Sequence, residues 1–174
     1  MVILSCNVYV ISIIKNKIQK RITIIGGMPP PTTGQRLNNL KILQILSDLD
    51  YSVEQVNFRF TSKKILSCIV SITYFLYNEI KLFFVSLKKI AYSDLIYLPI
   101  HQSLIGLLRY APYLITIIIL NKKYTIRLEG STIVNTYEKS SFIVKSLLKI
   151  IFNSAEKVIH LSQFTRNSEP FVQF

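Results

Sequence analysis

The chain has 174 residues, of which 50% are apolar, and 21 basic residues against 9 acidic ones give it a formal net charge of +12. This length suits one domain with a single core, and the apolar residues are too interrupted for a bundle of membrane-spanning helices. The charge favours an anionic membrane surface or a phosphate-bearing substrate. It does not favour nucleic acid, because no nucleic-acid-binding motif accompanies it. A coding bias towards Ile, Lys and Asn is an alternative source of much of this charge.

The first 20 residues differ from those that follow. Residues 1–14 carry no charge, and Lys15 and Lys17 come after them, whereas a secretory signal places its basic residues first. We expect residues 1–20 to be an apolar and basic extension, either a peripheral membrane anchor or a segment before the first strand. Cys6 and Cys68 stand alone, so neither a zinc site nor a disulfide is predicted, and a reduced, cytoplasmic compartment fits.

A strand, a loop and a helix follow. The apolar residues 22–25 predict a buried strand, residues 26–33 a loop rich in glycine and proline, and Gly34 the start of a helix. Pockets in open α/β sheets form outside the carboxyl ends of the strands, and a helix amino terminus offers free N–H groups to an anion. The segment therefore predicts a ligand site, with an ordinary β–α connection as the alternative.

The remaining elements alternate in type along the chain. Leu37, Leu40 and Leu43 recur at helical spacing and, broadened by Ile42 and Ile45, predict the apolar face of a first helix that ends near residue 50. The elements predicted after it are a strand at 53–58, one or two helices at 62–92, a strand at 94–99 that Pro99 ends, a helix at 103–120 kinked or restarted at Pro112, a strand at 122–128, a helix at 142–152 and a strand at 157–161. This order predicts an α/β fold with a mostly parallel, Rossmann-like sheet flanked by helices.

Common phosphate-binding motifs do not fit the loop. A dinucleotide fold needs Gly-x-Gly-x-x-Gly, whereas the three prolines at 29–31 remove three backbone donors. Glu54 lies near the beginning of the second strand, while a dinucleotide fold carries its acidic residue further along. The P-loop pattern is absent as well. The prolines instead predict a stiff, extended loop that presents Gly34 and Gln35 to a ligand.

Three segments together resemble family 4 (group 1) glycosyltransferases. They are IIGGMPPPTTGQ at 24–35, a lysine-rich apolar helix before DLIYL at 94–98, and KVIHLS at 157–162. The resemblance spans residues 21–165 and implies the GT-B architecture, in which two Rossmann-like domains close on a cleft. It further implies that the amino-terminal domain receives a sugar or lipid-linked acceptor, and that the carboxyl-terminal domain holds a nucleotide sugar.

The resemblance also implies a chemistry and a set of positions. Such enzymes are typically retaining and metal-independent, with the nucleotide sugar as co-substrate and no other cofactor. Carried over by position, the candidate substrate-binding residues are Gly27, Thr33, Gly34, Gln35, His101, Glu129, Gly130, Ser131 and Ser162. The backbone of Gly34 and Gln35 would face the donor phosphates or the transferred sugar. Glu129 stands where the family often has a histidine, so no catalytic residue is assigned.

The end of the sequence bears on activity. We expect residues 21–165 to form the domain and residues 166–174 to be a truncated tail, so that transfer requires a donor-binding domain from a separate chain. The chain would then be either a truncated gene product or one subunit of a split enzyme. The alternative is a non-catalytic, membrane-associated α/β interaction domain, because fold does not determine function.

Membrane contact is a separate expectation. The uncharged residues 65–77 are fewer than the roughly 18 that a spanning helix needs. They either pack on the sheet or dip into lipid while neighbouring lysines meet headgroups. The expected location is therefore the cytoplasm, with peripheral contact at the inner face of the cell membrane.

Overall fold

The computed structural model describes residues 20–58, 68–100, 104–128 and 137–160, which form one sheet with helices on both sides. The strands are β1 Arg21–Gly26, β2 Ser52–Asn57, β3 Leu95–Ile100, β4 Tyr124–Leu128 and β5 Lys157–Ile159. The helices are α1 Gly34–Asp48, α2 Cys68–Tyr92, α3 Leu104–Ile119 and α4 Phe142–Asn153. The predicted segments 1–19, 62–67 and 166–174 lie outside the described residues.

Every neighbouring pair of strands runs parallel, in the order β2-β1-β3-β4-β5. Parallel strands need crossover connections, and a helix follows each of the first four strands. The predicted α/β class with a Rossmann-like sheet is therefore confirmed. Among the described residues, no helix combines the length and the apolar character that crossing a membrane requires.

The two sides of the sheet carry different numbers of described helices. Side chains of β3 alternate between the sides, since Leu98 and Ile100 pack in one core cluster and Tyr97 in the other. The larger cluster contains residues from α2, α3 and α4, for example Ile90, Leu114 and Ile151. We call this side the three-helix face. The smaller cluster contains residues of α1 and forms the α1 face.

The prediction for Pro99 was wrong, and so was one of the two alternatives predicted for Pro112, the restart of the helix. Pro99 was expected to end the third strand, but it lies inside β3 and pairs in register with Arg127 of β4. The register between β1 and β3 ends at Tyr97, so the proline sits where β1 no longer pairs with β3. Pro112 does not restart its helix either, because α3 continues through it as one element.

The apolar face predicted for α1 is confirmed at Ile42, which is buried, and was wrong at Leu37. Leu37 is 42% exposed, whereas the buried positions are Arg36, Asn39, Ile42 and Leu46. These four are spaced by three or four residues and therefore share one side of the helix. Polar residues thus occupy the buried side in the first half of α1, and apolar residues occupy it in the second half.

Candidate functional site

The carboxyl ends of β1 and β3 meet where the winding of the sheet changes direction. After β1 the chain turns through α1 to β2 at one edge of the sheet, whereas after β3 it turns through α3 to β4 on the other side. In open α/β sheets, ligands bind outside the carboxyl ends of the strands at such a switch point. We call this place the carboxyl-edge crevice. Its described walls are residues 26–35 and the end of β3.

The residues between β1 and α1, 27–33, form a loop that we call the proline loop. Its bonds Pro29–Pro30 and Pro30–Pro31 are cis. The Arg36 guanidinium lies inside its bend, where Nη1 donates to Met28 O at 2.9 Å and to Pro30 O at 2.7 Å. Arg36 Nη2 also donates to Phe58 O at 3.4 Å. The loop therefore curls around a side chain, and the prediction of an extended loop was wrong.

Two asparagines hold the beginning of the proline loop. The Met28 N–H donates to Asn57 Oδ1 at 2.9 Å, and Asn39 Nδ2 donates to Gly27 O at 2.9 Å. Asn57 is the last residue of β2, and the Met28 side chain is buried in the core of the α1 face. The loop is thus attached to β2, to α1 and to the core. Asn39 Oδ1 is buried and has no hydrogen-bond partner within the described part of the chain.

Positive charge collects beside the end of β2. Burial of the Arg36 guanidinium lowers its pKa, and the nearby Arg109 lowers that pKa further. Arg109 lies over the Phe58 ring, 4.3 Å from the centroid, and its Nε donates to Glu79 Oε2 at 3.0 Å. Two guanidinium groups therefore approach Phe58 from different sides, while Glu79 is the carboxylate that pairs with one of them. The excess positive charge suits an anionic ligand.

The start of α1 is capped on one side and open on the other. Thr33 has an extended backbone, its Oγ1 accepts from the Arg36 N–H at 3.4 Å, and its carbonyl accepts from the Leu37 N–H at 3.0 Å. The N–H groups of Gly34 and Gln35 precede the first bond inside the helix, and they lie at the positive end of its dipole. Thr33 and Gly34 are exposed, so a ligand can reach this end of α1.

The glycines around the crevice have different roles. A Cβ on Gly26 would come within 2.6 Å of Pro99 Cγ, and a Cβ on Gly27 would come within 3.1 Å of Arg36 Nε. A Cβ on Gly34 would meet no atom within 4 Å. Gly26 is therefore required by its packing against the rigid Pro99 ring, and a side chain at Gly27 would crowd Arg36. Gly34 instead leaves open space beside the amino terminus of α1.

The Gln35 side chain connects α1 to β3. Its Nε2 donates to Pro99 O at 3.1 Å, and Tyr110 of α3 donates its hydroxyl to the same oxygen at 2.8 Å. Because Pro99 lies where β1 no longer pairs with β3, these two side chains supply donors to a carbonyl beyond the last β1–β3 pair. These two hydrogen bonds fix the position of the end of β3, which forms one side of the crevice.

The predicted site residues fall into two groups. Gly27, Thr33, Gly34 and Gln35 lie together at the carboxyl edge, as part of the proline loop and the first turn of α1. The remaining candidates lie outside the described residues, and they are His101, Glu129, Gly130, Ser131 and Ser162. In sequence they follow β3, β4 and β5. His160 was expected inside the last strand and instead follows β5, which ends at Ile159.

Sequence reasoning missed the side chains that give the proline loop its shape. Arg36, Asn39, Asn57 and Pro99 each contact this loop or the first turn of α1. Two of them could have been found from the sequence. Arg36 and Asn39 precede Ile42 at the spacing that places all three on the same, buried side of the helix. A polar residue at such a position needs a buried partner, and the neighbouring loop offers unpaired carbonyls.

Comparisons with known proteins found no match for the chain. No family model matches it, and neither a curated protein nor a solved structure does. In the part of the chain that the structure describes, no group of three or more His, Cys, Asp or Glu residues could hold a metal ion. Functional inference therefore rests on the fold, on the crevice and on the chemistry of the residues around it.

Proposed function

We propose that this chain is the acceptor-side half of a retaining glycosyltransferase, which transfers a hexosyl group from a nucleotide sugar to a glycan or a lipid-linked acceptor. The observation that carries the proposal is the start of α1 at Gly34 and Gln35, which lies beside the carboxyl-edge crevice with Gly34 exposed and Gln35 half-buried. In this proposal a donor-binding domain holds the nucleotide sugar, and the two halves bring donor and acceptor into one geometry.

The chemistry of transfer explains why a helix amino terminus is useful there. The bond between the anomeric carbon and the diphosphate oxygen breaks, the acceptor oxygen bonds to that carbon, and the proton of the acceptor hydroxyl passes to the departing diphosphate. Negative charge grows on the departing diphosphate. Backbone N–H groups aimed at the growing charge stabilise the transition state, and Gly34 and Gln35 supply two of them. The nucleotide sugar acts as co-substrate, and the proposal assigns no resident cofactor.

The other candidate residues keep their proposed places as substrate contacts. His101 directly follows β3, residues 129–131 follow β4, and Ser162 comes three residues after the end of β5. The carboxyl ends of parallel strands lie along the same edge of a sheet, which is the edge that the acceptor would approach. In this scheme the chain works in the cytoplasm, at the inner face of the cell membrane.

A titration of the chain itself tests the proposed anion site. Inorganic pyrophosphate, as a probe for the departing diphosphate, should shift the amide resonances of Gly34 and Gln35 in the ¹⁵N-labelled protein. The Gly34→Leu variant should abolish these shifts without changing the melting temperature, because the space beside Gly34 is open. Lys41→Leu, an exposed position on the same helix, is the matched control. If pyrophosphate leaves both amides unmoved, or shifts them equally in Gly34→Leu, the site is not where we propose.

The enzymatic claim needs a second experiment. The DNA immediately downstream should encode a glutamate-rich donor domain, and that domain mixed with this chain should transfer radiolabelled sugar from a nucleotide sugar. Gly34→Leu keeps its N–H but fills the open space through which the diphosphate would reach it. Denying the transition state one such donor typically lowers kcat by about 100-fold or more, so a loss of that order is expected. Unrelated downstream sequence would argue against the enzyme. So would transfer activity that Gly34→Leu leaves unchanged.

The second candidate is a non-catalytic α/β interaction domain that rests on a membrane. The observation that favours it is the set of exposed apolar side chains on α2, α3 and α4. Both candidates allow a membrane contact, so lipid binding cannot separate them. Pyrophosphate binding at the crevice separates them, because an interaction domain of this kind has no need for an anion site there.

A further inference from the structure

The outer side of the three-helix face carries apolar side chains in contact with solvent. On α2, the side chains of Tyr77, Ile80 and Phe84 are more than half exposed, and Phe84 reaches 65%. On α3, Leu108 and Ile119 are exposed at 56% and 75%. The positions on each helix are separated by about whole helical turns, so each helix presents an outward apolar stripe in addition to its buried side.

The stripes of α2 and α3 belong to one surface. Arg109 of α3 bonds to Glu79 of α2, and Tyr113 of α3 stacks edge-on against Phe83 of α2 with ring centroids 5.5 Å apart. Both contacts join residues thirty positions apart, so the helices lie side by side and run in the same direction. Ile115, exposed on α3, therefore lies level with Val85, exposed on α2. The exposed apolar side chains of the two helices therefore lie at matching levels on neighbouring, parallel helices.

The charges on these helices have one predominant sign. The basic residues of α2, α3 and α4 are Lys81, Lys88, Lys89, Arg109, Lys145 and Lys149. The same three helices contain a single acidic residue, Glu79, and Arg109 neutralises it. Lys81, Lys88 and Lys149 are exposed. A partner for this surface must therefore accept apolar side chains and offer negative charge.

We infer that the outer side of the three-helix face docks on an anionic lipid surface. Aromatic and aliphatic side chains enter the boundary between headgroups and acyl chains, while lysines beside them bind acidic headgroups. A second copy of the chain is a poorer occupant, because two faces that both carry unpaired lysines would repel each other. The inference does not depend on the proposed enzymatic function, since it concerns a surface outside the carboxyl-edge crevice.

Vesicle flotation with the full chain tests the inference. Vesicles of equal parts phosphatidylcholine and phosphatidylserine should carry the protein to the top fraction, and vesicles of phosphatidylcholine alone should carry much less. Raising the salt from about 0.1 M to about 1 M shortens the screening length from about 10 Å to about 3 Å, so it should release most of the bound protein. Equal, salt-insensitive binding to both vesicles would overturn the inference.

Paired variants locate the contact on the molecule. Ile80→Ser with Phe84→Ser should weaken binding by about tenfold or more, since both apolar side chains leave the lipid boundary. Leu37→Ser with Leu49→Ser makes the same chemical change at residues exposed on or next to α1, and it should leave binding unchanged. All four side chains are exposed, so neither pair is expected to disturb the fold.

Two double variants that lower the net charge equally test whether the lysines of this face bind the vesicles. Lys81→Gln with Lys88→Gln removes two exposed charges from the face, and each should cost about fivefold in affinity. Lys41→Gln with Lys157→Gln removes two exposed charges elsewhere and lowers the net charge equally. If both pairs weaken binding equally, or neither does, the lipid contact is not this face. Self-association without lipid that Phe84→Ser abolishes would assign the face to a second copy instead.

Discussion

In the proline loop and the first half of α1, polar side chains are turned inward. Arg36 and Asn39 are buried, and their donors bond to backbone carbonyls of the loop. On the outer side of the three-helix face the arrangement is reversed, and Phe84 and Ile119 are turned towards solvent. Buried polar groups and exposed apolar patches are the informative exceptions to the usual distribution of side chains. Both exceptions occur in this molecule, in separate regions.

The difference between the two regions lies in where each side chain finds its partner. The buried polar groups have partners inside the molecule, and those bonds give the proline loop its path. The exposed apolar groups are only partly covered by the described residues, and the lipid contact inferred above would cover them further. Substitutions in the loop should therefore change stability, whereas substitutions on the outer face should change binding and leave stability within about 0.5 kcal/mol.

The largest effect on stability is expected at Arg36. Arg36→Met removes the donors of three carbonyls. The two short bonds from this charged group contribute about 1.5 to 3 kcal/mol each after exchange with water, and the third, at 3.4 Å, contributes less. We expect the free energy of unfolding to fall by roughly 3 to 5 kcal/mol, as measured by urea denaturation. The Met28 N–H, which bonds to Asn57, should also exchange faster with solvent because the loop loses its anchor.

Two comparisons make the Arg36 result specific. Arg36→Lys keeps the charge but cannot reach carbonyls on both sides of the bend with a planar fork, so its loss should be intermediate. Lys41→Met alters an exposed position of the same helix and should have almost no effect. A loss in Arg36→Met no larger than that in Lys41→Met would mean that the loop holds its shape without the guanidinium.

The next largest effect is on the free energy of unfolding at high pH. It differs between a tyrosine on the inner side of the three-helix face and one on its outer side. Burial raises the pKa of Tyr124 to about 12, and its hydroxyl donates to Ile151 O at 2.6 Å. Between about pH 10 and 12 the unfolded chain ionises this tyrosine while the folded chain keeps it protonated, so stability falls as pH rises. A shift of about two pH units corresponds to a loss of about 2 to 3 kcal/mol over this range.

Urea denaturation across that pH range checks the prediction. Tyr124→Phe should flatten the decline, although a residual slope should remain because burial also raises the pKa of Tyr113. Tyr77→Phe removes a hydroxyl from the outer side of α2 and should leave the decline as it is. Equal slopes in Tyr124→Phe and the unchanged protein would contradict the assignment.

The sequence predicted the strands and helices well because they have clear periodicities. Buried parallel strands appear as short apolar runs, and each run was followed by a helical pattern, so the α/β order could be deduced. The exit loop after the first strand could also be placed at the carboxyl edge, with Gly34 at the start of α1. Topology rules, which depend only on the order of the elements, were sufficient for this much.

The shape of the loop could not be deduced in the same way. Prolines at 29–31 favoured an extended path when considered alone, but Arg36, three residues into the next helix, bends the loop around itself. Pro99 was interpreted as the end of a strand because the sequence does not show where β1 and β3 stop pairing. Both errors concern contacts between segments distant in the chain, which local patterns do not encode.

A third prediction concerns the close approach of β1 and β3. Gly26→Ala places a methyl group 2.6 Å from Pro99 Cγ, and overpacking of this kind costs about 1 to 3 kcal/mol. Gly34→Ala, at the open position on the same crevice, should change the free energy of unfolding little. Pro99→Ala should restore part of the stability of Gly26→Ala, and a double-mutant cycle by urea denaturation measures this coupling. Independent, additive effects would show that the two residues do not press on each other.

The smallest effect on the free energy of unfolding is expected at the amino-terminal caps of two helices. One helix starts at the crevice and the other lies on the three-helix face. Thr33 caps α1 through its Oγ1, whereas Ser141 precedes α4 without a side-chain capping bond. Loss of a capping bond costs about 1 kcal/mol, so Thr33→Ala should lower the free energy of unfolding by about that amount and Ser141→Ala by clearly less.

Losing the Thr33 cap also frees the Arg36 N–H at the start of α1. Thr33→Ala should therefore destabilise the chain less when pyrophosphate is present, because an anion bound there takes over that donor. An equal cost with and without pyrophosphate would mean that no anion binds at this end of α1.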